Sequence, residues 1–217
     1  MDGLPVMHKK IECLIFDCDG TLVDSEYLCN LGLVKKLAEV EIEADANELM
    51  HRFRGWKLAN IMDSLEEIYD IELESAFEPT YRQIVSDLFE TELQPIEGVR
   101  KVLGQIDLPM CVASSGPRQK IEQALRVTEL SHFFGRNLFS SYEIGSWKPE
   151  PDLFLHAADQ MGFPPEQCAV IEDSEVGIAA AVAAGMRPIH FKPDGALSDV
   201  GPILTLSRMI DLPRLLS

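Results

Sequence analysis

The order of apolar and polar residues changes along the chain, and from residue 93 onward it follows an alternating pattern. Short apolar runs alternate there with amphipathic segments of helical length. The runs are apolar throughout, which is typical of parallel strands that are buried on both faces of a sheet. This order predicts an α/β fold with a doubly wound, Rossmann-like parallel sheet. The predicted strands are 11–16, 110–114, 137–140, 168–172, 188–191 and 203–206, and the predicted helices are 98–106, 117–130, 151–161, 174–184 and 207–216.

Residues 24–92 follow a different pattern, because they contain no apolar run that resembles a strand. Their apolar residues recur at helical spacing, which predicts helices over 27–40, 45–53, 57–69 and 75–92. The block interrupts the alternation of strands and helices directly after the first strand. We therefore expect an α/β core formed by residues 9–23 and 93–217, and an inserted all-helical domain formed by residues 24–92.

Composition and charge restrict the partners that the protein can have. The 217 residues include 19 basic and 36 acidic side chains, which give a formal charge of −17. A charge of this sign opposes binding to nucleic acid and to anionic membrane surfaces, so we expect neither partner. The five cysteines form no C-x-x-C motif, and no apolar run approaches the length of a membrane span. We expect a cytoplasmic protein without disulfides, which is a monomer or a weak dimer.

The first predicted strand ends in two carboxylates, Asp17 and Asp19, and Gly20 then turns the chain. Side chains two residues apart on a strand point to the same side, which brings these like charges close together. Such a pair needs a cation or a shared proton at neutral pH. The pattern predicts a metal site, a catalytic pair, or both, at the carboxyl end of a central strand.

Polar residues also follow three other predicted strands. The second strand ends in Ser114 and Ser115, and a hydroxyl group with free backbone amides at a helix start can bind phosphate oxygens. Lys148 follows the third strand, and Glu172 and Asp173 end the fourth. Carboxylate oxygens are the ligands that suit Mg²⁺. Because these strand ends meet at one edge of a doubly wound sheet, the set has the chemistry of phosphoryl transfer, with one aspartate as nucleophile and the other as proton donor.

The ordered set of motifs resembles motifs I to IV of the haloacid dehalogenase superfamily, and the resemblance covers essentially the whole chain. The motifs are Asp17-x-Asp19-Gly20-Thr21, Ser114, Lys148-Pro149 and Glu172-Asp173. The resemblance implies that Asp17 is the nucleophile, which forms an aspartyl-phosphate, and that Asp19 is the general acid and base. It also implies a helical cap of the C1 type, as in the β-phosphoglucomutase-like branch, over residues 24–92. The implied phosphate-binding residues are Ser114, Ser115 and Lys148, and the implied Mg²⁺ ligands are Asp17, Asp19, Asp173 and Glu172.

Individual residues favour one reaction among those of the superfamily. Asp19 supplies the proton that the leaving group of a phosphate ester needs, and true dehalogenases lack this aspartate. The β-phosphoglucomutases carry a histidine where this chain has Cys29. The resemblance therefore implies a phosphatase that hydrolyses a small phosphorylated metabolite. A phosphosugar mutase and a relative that binds phosphometabolites without hydrolysing them are the alternatives, and a phosphonoacetaldehyde hydrolase ranks behind them.

Substrate selection is expected in the cap, where Arg54 and Lys57 lie on either side of Gly55 in an otherwise acidic block. In the branch that the chain resembles, this glycine-containing loop faces the active site, so the two cations are candidates for binding a second anionic group. The surrounding run Arg-Phe-Arg-Gly-Trp-Lys-Leu resembles that of members that hydrolyse 6-phosphogluconate, which implies a phosphorylated sugar acid. Solvated cations at a helix end are an equally good interpretation of each residue alone.

Overall fold

A computed structural model describes residues 10–193, 195 and 203–216 of the chain. Its strands form one six-stranded sheet, in which all neighbouring strands are parallel. The strands are β1 (Cys13–Phe16), β2 (Met110–Ser114), β3 (Leu138–Ser140), β4 (Cys168–Glu172), β5 (Arg187–Phe191) and β6 (Leu204–Leu206), in the spatial order β3-β2-β1-β4-β5-β6. The predicted α/β fold with a doubly wound parallel sheet is confirmed.

The strand order reverses direction between β1 and β4, which are neighbours at the centre of the sheet. From β1 the chain moves outward through β2 and β3, and it then returns to β4 and moves outward on the other side. In open α/β sheets, ligands bind at such a switch point, outside the carboxyl ends of the strands. The topology therefore places the loops that follow β1 and β4 at the position where a site is expected.

Both faces of the sheet are covered, and β1 shows this most directly. Leu14 and Phe16 belong to one buried apolar cluster, while Cys13 and Ile15 belong to another. All four side chains are fully buried. Because successive residues of a strand point to opposite faces, an apolar run without alternation is what a doubly covered strand requires.

Four helices occupy residues 24–92, and each predicted helix of that stretch is present. They are α1 (Glu26–Ala38), α2 (Ala46–Phe53), α3 (Leu58–Tyr69) and α4 (Phe77–Glu92). Helix α1 packs against α2 and α4. Gly32 allows the close approach of α4, because a Cβ atom at this position would lie 2.7 Å from Cγ2 of Val85. The division into a core and a separate domain at residues 24–92 stays a prediction.

The helices that follow cover the sheet and differ from the predictions in detail. They are α5 (Val99–Leu103), α6 (Arg118–Val127), α7 (Ser131–Phe134), α8 (Ser141–Ile144), α9 (Asp152–Met161) and α10 (Glu175–Ala183). The single-turn helices α7 and α8 were not predicted, since four residues are too few to show helical spacing. The predicted C-terminal α-helix is a 3-10 helix over Met209–Leu215, because Pro213 lacks the N–H group that an α-helix needs.

A cavity of about 810 Å³ lies between the carboxyl edge of the sheet and the helices α1 to α4. Its lining combines residues of the strand ends, such as Asp17 and Ser114, with residues of the helical block, such as Lys57 and Tyr81. Among the described residues, no helix combines the length and apolarity that crossing a bilayer would require.

Candidate active site

Three carboxylates and one lysine form the floor of the cavity. Lys148 Nζ donates to Asp17 Oδ1 at 2.5 Å and to Glu172 Oε2 at 2.6 Å. Asp17, Glu172 and Asp173 each present an oxygen within 4.8 Å of the others. All four side chains are buried. The ends of β1 and β4 and the loop after α8 therefore bring together the residues that were predicted to lie at one edge of the sheet.

The floor carries more negative charge than its single lysine neutralises. Burial raises the pKa of Asp17 to about 7, with the Glu172 carboxylate adding to the effect and Lys148 opposing it. Burial, followed by the charges of Glu172 and Asp17, also raises the pKa of Asp173 well above its ordinary value. A divalent cation beside these oxygens would favour the ionised carboxyl groups. These three carboxylates are closely spaced, offer hard oxygen ligands and carry excess negative charge. All three properties suit the binding of Mg²⁺.

Glu172 is fixed in place by the start of α10. Ser174 donates to Glu172 Oε1 through its backbone N–H at 3.0 Å and its hydroxyl at 2.7 Å. The same hydroxyl accepts from the N–H of Gly177 at 3.1 Å and so forms the N-cap of the helix. Gly177 leaves the room for this carboxylate, because a Cβ atom there would lie 2.1 Å from Cδ of Glu172. The acidic strand end and the helix that follows it are thus one structural unit.

Asp19 lies beside this floor and has partners of its own. Its carboxylate accepts from Lys120 Nζ at 2.8 and 2.9 Å and from the hydroxyl of Ser25 at 2.5 Å. Burial alone would raise the pKa of Asp19, but the charge and hydrogen bonds of Lys120 outweigh it and lower the pKa below its ordinary value. The two aspartates of the motif therefore have opposite environments: the pKa is raised at Asp17 and lowered at Asp19. Such a separation is typical of paired carboxyl groups with different tasks.

Lys120 was not among the residues predicted from the sequence. It lies in the first turn of α6, where the helix dipole disfavours a cation. A lysine at this position, after the Ser114-Ser115-Gly116-Pro117 loop, therefore indicated that a carboxylate lies close enough to offset the unfavourable interaction with the helix dipole. The structure identifies that carboxylate as Asp19.

The loop after β2 is held in a fixed shape at the cavity wall. Ser114 Oγ accepts from the N–H of Gly116 at 3.1 Å, and Ser140 donates to the carbonyl of Gly116 at 2.6 Å. Ser114 is buried and Ser115 is partly exposed, and both line the cavity. The predicted hydroxyl and amide site therefore faces the same space as Asp17.

The two cations predicted in the cap are placed differently. Arg54 lies outside the cavity lining, with Nε 4.0 Å from Asp173 Oδ2 and half of its side chain exposed. Lys57 lines the cavity, and its Nζ lies 4.8 Å from the ring centroid of Trp147. Gly55, between them, packs against Ser174 and Val176 of the core. The loop after α2 thus reaches the site from the helical block, and Lys57 is its cation inside the cavity.

Cys29 also lines the cavity. Burial raises the pKa of this thiol to about 11, although the Lys120 charge opposes the shift. The group therefore keeps its proton at neutral pH and cannot serve as a base.

Comparison with known proteins identifies the family of the chain. A family model for haloacid dehalogenase-like hydrolases matches residues 11–185. The 6-phosphogluconate phosphatase of Escherichia coli is 37% identical over 210 residues, which cover 95% of each chain. Among solved structures, a haloacid dehalogenase-like protein from Agrobacterium tumefaciens is 32% identical, with a TM-score of 0.81 over 94% of this chain and 97% of its own. A β-phosphoglucomutase from Clostridium difficile shares the fold, at 20% identity and a TM-score of 0.77 over 93% of each chain.

The resemblance that the motifs implied is therefore confirmed. The family model spans most of the chain, and a relative that is 37% identical over nearly all of it is a phosphatase. The chain belongs to the haloacid dehalogenase-like hydrolases, within which it is a phosphoric monoester hydrolase.

Proposed function

We propose that the protein is a Mg²⁺-dependent phosphatase that hydrolyses a phosphorylated sugar metabolite, and specifically a phosphorylated sugar acid, through an aspartyl-phosphate. The observation that supports the reaction is the buried group of Asp17, Lys148, Glu172 and Asp173 on the floor of the cavity. The observation that supports the substrate class is the 37% identity to a 6-phosphogluconate phosphatase over nearly the full chain.

In the first step, a carboxylate oxygen of Asp17 attacks phosphorus as the bond to the leaving oxygen breaks. The negative charge of the bound phosphate opposes the effect of Lys120 and favours protonated Asp19. Asp19 gives this proton to the leaving oxygen, so the sugar leaves as an alcohol. Lys148, the Ser114 hydroxyl and the backbone amides of the same loop bind the other phosphoryl oxygens and stabilise the charge that they carry in the transition state.

In the second step, water attacks the phosphorus of the aspartyl-phosphate. Asp19, now ionised, takes a proton from the water, and the bond between phosphorus and the Asp17 oxygen breaks. Inorganic phosphate leaves and the Asp17 carboxylate is restored. The lowered pKa of Asp19, which follows from its partner Lys120 despite the opposing effect of burial, suits the role of base in this step.

Asp17, Asp173 and the backbone carbonyl of Asp19 are the proposed ligands of Mg²⁺, and Glu172 supports them. When bound, the ion supplies positive charge beside the transferred phosphoryl group. Lys148 links Asp17 to Glu172 and so orients the nucleophile.

We propose that residues 24–92 act as a cap that excludes bulk water from the cavity and selects the substrate. Lys57 is the cap cation that the geometry favours for contact with substrate, since it lines the cavity. Arg54, beside Asp173, is placed to act at the metal end of the site.

Cys29 favours hydrolysis over the mutase reaction. A mutase must activate a sugar hydroxyl for attack on phosphorus, and the protonated thiol of Cys29 offers no base for that step. The binding-only alternative is disfavoured by the Ser25 and Lys120 contacts of Asp19, since phosphate binding alone does not require a second, separately held carboxylate.

The test is phosphate release from a panel of phosphometabolites, with Mg²⁺ and with EDTA. The panel contains 6-phosphogluconate, hexose phosphates, phosphoglycolate and nucleotides. We expect Mg²⁺-dependent release that is fastest with 6-phosphogluconate. Absence of release from every compound, in a folded protein with Mg²⁺ bound, would favour the mutase or the binding-only relative.

A further inference from the structure

The cavity is also lined by a second group of cations, each of which lies close to an aromatic ring. The side chains of Lys57, Arg82, Tyr142 and Trp147 form this group, called here the outer cation site, and all of them line the cavity. Lys57 Nζ lies 4.8 Å from the Trp147 ring centroid, and Arg82 Cζ lies 5.5 Å from that of Tyr142. The two rings meet edge to face, with centroids 5.4 Å apart. Arg82 also donates to the Tyr142 hydroxyl at 2.8 Å.

Together with Glu78, the outer cation site carries a net charge of +1. Arg82 is paired with Glu78, which accepts from Nε at 2.9 Å and Nη2 at 2.6 Å through the single oxygen Oε1. Within the described part of the chain, Lys57 forms no ion pair with a carboxylate, and its ammonium group instead faces the ring of Trp147. An unpaired cation lining a cavity in a protein of charge −17 favours an anion there.

The outer cation site is structurally tied to the phosphate end of the cavity. Trp147 directly precedes Lys148, whose ammonium group bridges Asp17 and Glu172. A molecule bound with its phosphoryl group at Lys148 shares the cavity with Trp147. Lys57 and Arg82, on two different segments of the helical block, line the same cavity.

We infer that the outer cation site binds the carboxylate of a phosphorylated sugar acid at the end opposite its phosphate, an inference that rests on the proposed function. In the complex, the planar guanidinium group of Arg82 releases Glu78 and forms a bidentate pair with the substrate carboxylate. Lys57 provides the second positive charge. The rings of Trp147 and Tyr142 contact the carbon chain between the two anionic groups. Because Glu78 stays on the same helix turn, the two cations and its carboxylate keep a net charge of +1. That charge suits a carboxylate better than a second phosphate, which carries nearly two negative charges.

The test uses two substrates that differ only at the end opposite the phosphate. 6-Phosphogluconate has a carboxylate there, and sorbitol 6-phosphate has a hydroxymethyl group. For the unchanged protein we expect a higher kcat/KM with 6-phosphogluconate. Arg82→Met and Lys57→Met should each lower the ratio of the two kcat/KM values about tenfold or more, because each removes a charge-assisted contact with the carboxylate. Arg126→Met, which removes an exposed arginine outside the cavity, is the matched control and should leave the ratio unchanged.

Glu78→Gln separates recognition of the carboxylate from support of the fold. It removes the anion that competes for Arg82, so kcat/KM for 6-phosphogluconate should stay the same or rise. A fall like that of Arg82→Met would show that the pair is structural and would overturn the inference. Equal losses on both substrates in Arg82→Met and Lys57→Met would overturn it too, as would a strong preference for a sugar bisphosphate over 6-phosphogluconate. Failure of the proposed function is distinguishable, because then neither substrate releases phosphate.

Discussion

At the scale of single residues, the site depends on how its two lysines divide the acidic groups between them. Lys148 holds Asp17 and Glu172, while Lys120 holds Asp19. This division gives the two aspartates of motif I different pKa values, although only one residue separates them in the chain. The proposed mechanism depends on this separation, because one aspartate attacks phosphorus while the other moves a proton.

Lys120→Met tests the contribution of the second lysine. Without its partner, the Asp19 carboxylate can leave its position beside the leaving oxygen. We expect kcat/KM for an alkyl phosphate such as 6-phosphogluconate to fall at least tenfold, by the loss of a charged hydrogen bond. The fall should be clearly smaller for p-nitrophenyl phosphate, whose leaving group needs no proton.

Two further variants make this prediction specific. Lys120→Arg keeps the charge and should retain more activity than Lys120→Met. Lys101→Met removes an exposed lysine of α5 and should have no effect. An equal fall for the alkyl and aryl phosphates would show that Lys120 does not act through Asp19.

At the scale of elements, the strands and their ends were predictable because burial on both faces leaves a continuous apolar run. The strand ends at Asp17, Ser114 and Glu172 followed directly from that pattern. Lys120 and Arg82 were missed, since each lies on an amphipathic helix where cations usually face solvent. Their partners, Asp19 and Tyr142, are distant in sequence, and only the packing of helices against the sheet brings them together.

Gly177→Ala tests the close packing of α10 on the end of β4. The added methyl group would overlap the Glu172 carboxyl, so this side chain and its partner Lys148 must shift. We expect a loss of about 1–3 kcal/mol in the free energy of unfolding, together with a fall in kcat. Denaturant unfolding and phosphate release measure the two effects.

Gly104→Ala is the matched control for this variant. Gly104 has φ −72°, and a Cβ atom there would meet no atom closer than 3.5 Å. This substitution should be neutral or stabilising by about 0.4–1 kcal/mol, because it restricts the unfolded chain. Similar results for both glycines would mean that the contact with Glu172 has no special importance.

At the scale of the whole molecule, the buried carboxylates link stability to pH and to Mg²⁺. The pKa of Asp17 is raised from 3.8 to about 7 in the folded protein, chiefly by burial. Between these values the folded state binds more protons than the unfolded state. The stability of the metal-free protein therefore falls as the pH rises from about 4 to about 7. Mg²⁺ binds the ionised carboxylates of the folded state and should offset this loss.

The increase in Tm on adding Mg²⁺, at constant ionic strength, should therefore be larger at pH 8 than at pH 5. Asp173→Asn removes one proposed ligand and should abolish most of the increase at pH 8. Asp24→Asn, at an exposed position, should retain it. An equal increase at both pH values, or an undiminished one in Asp173→Asn, would contradict a metal site built from these carboxylates.

The role of Asp17 as nucleophile is tested most directly by the initial rate of phosphate release from 6-phosphogluconate, measured for the unchanged protein and for Asp17→Asn. Circular dichroism verifies that the variant is folded, and Asp24→Asn serves as the control. The proposed mechanism predicts rapid release with Mg²⁺, none with EDTA, and none from Asp17→Asn under either condition. Substantial release by folded Asp17→Asn would contradict nucleophilic attack by Asp17 and the mechanism that depends on it.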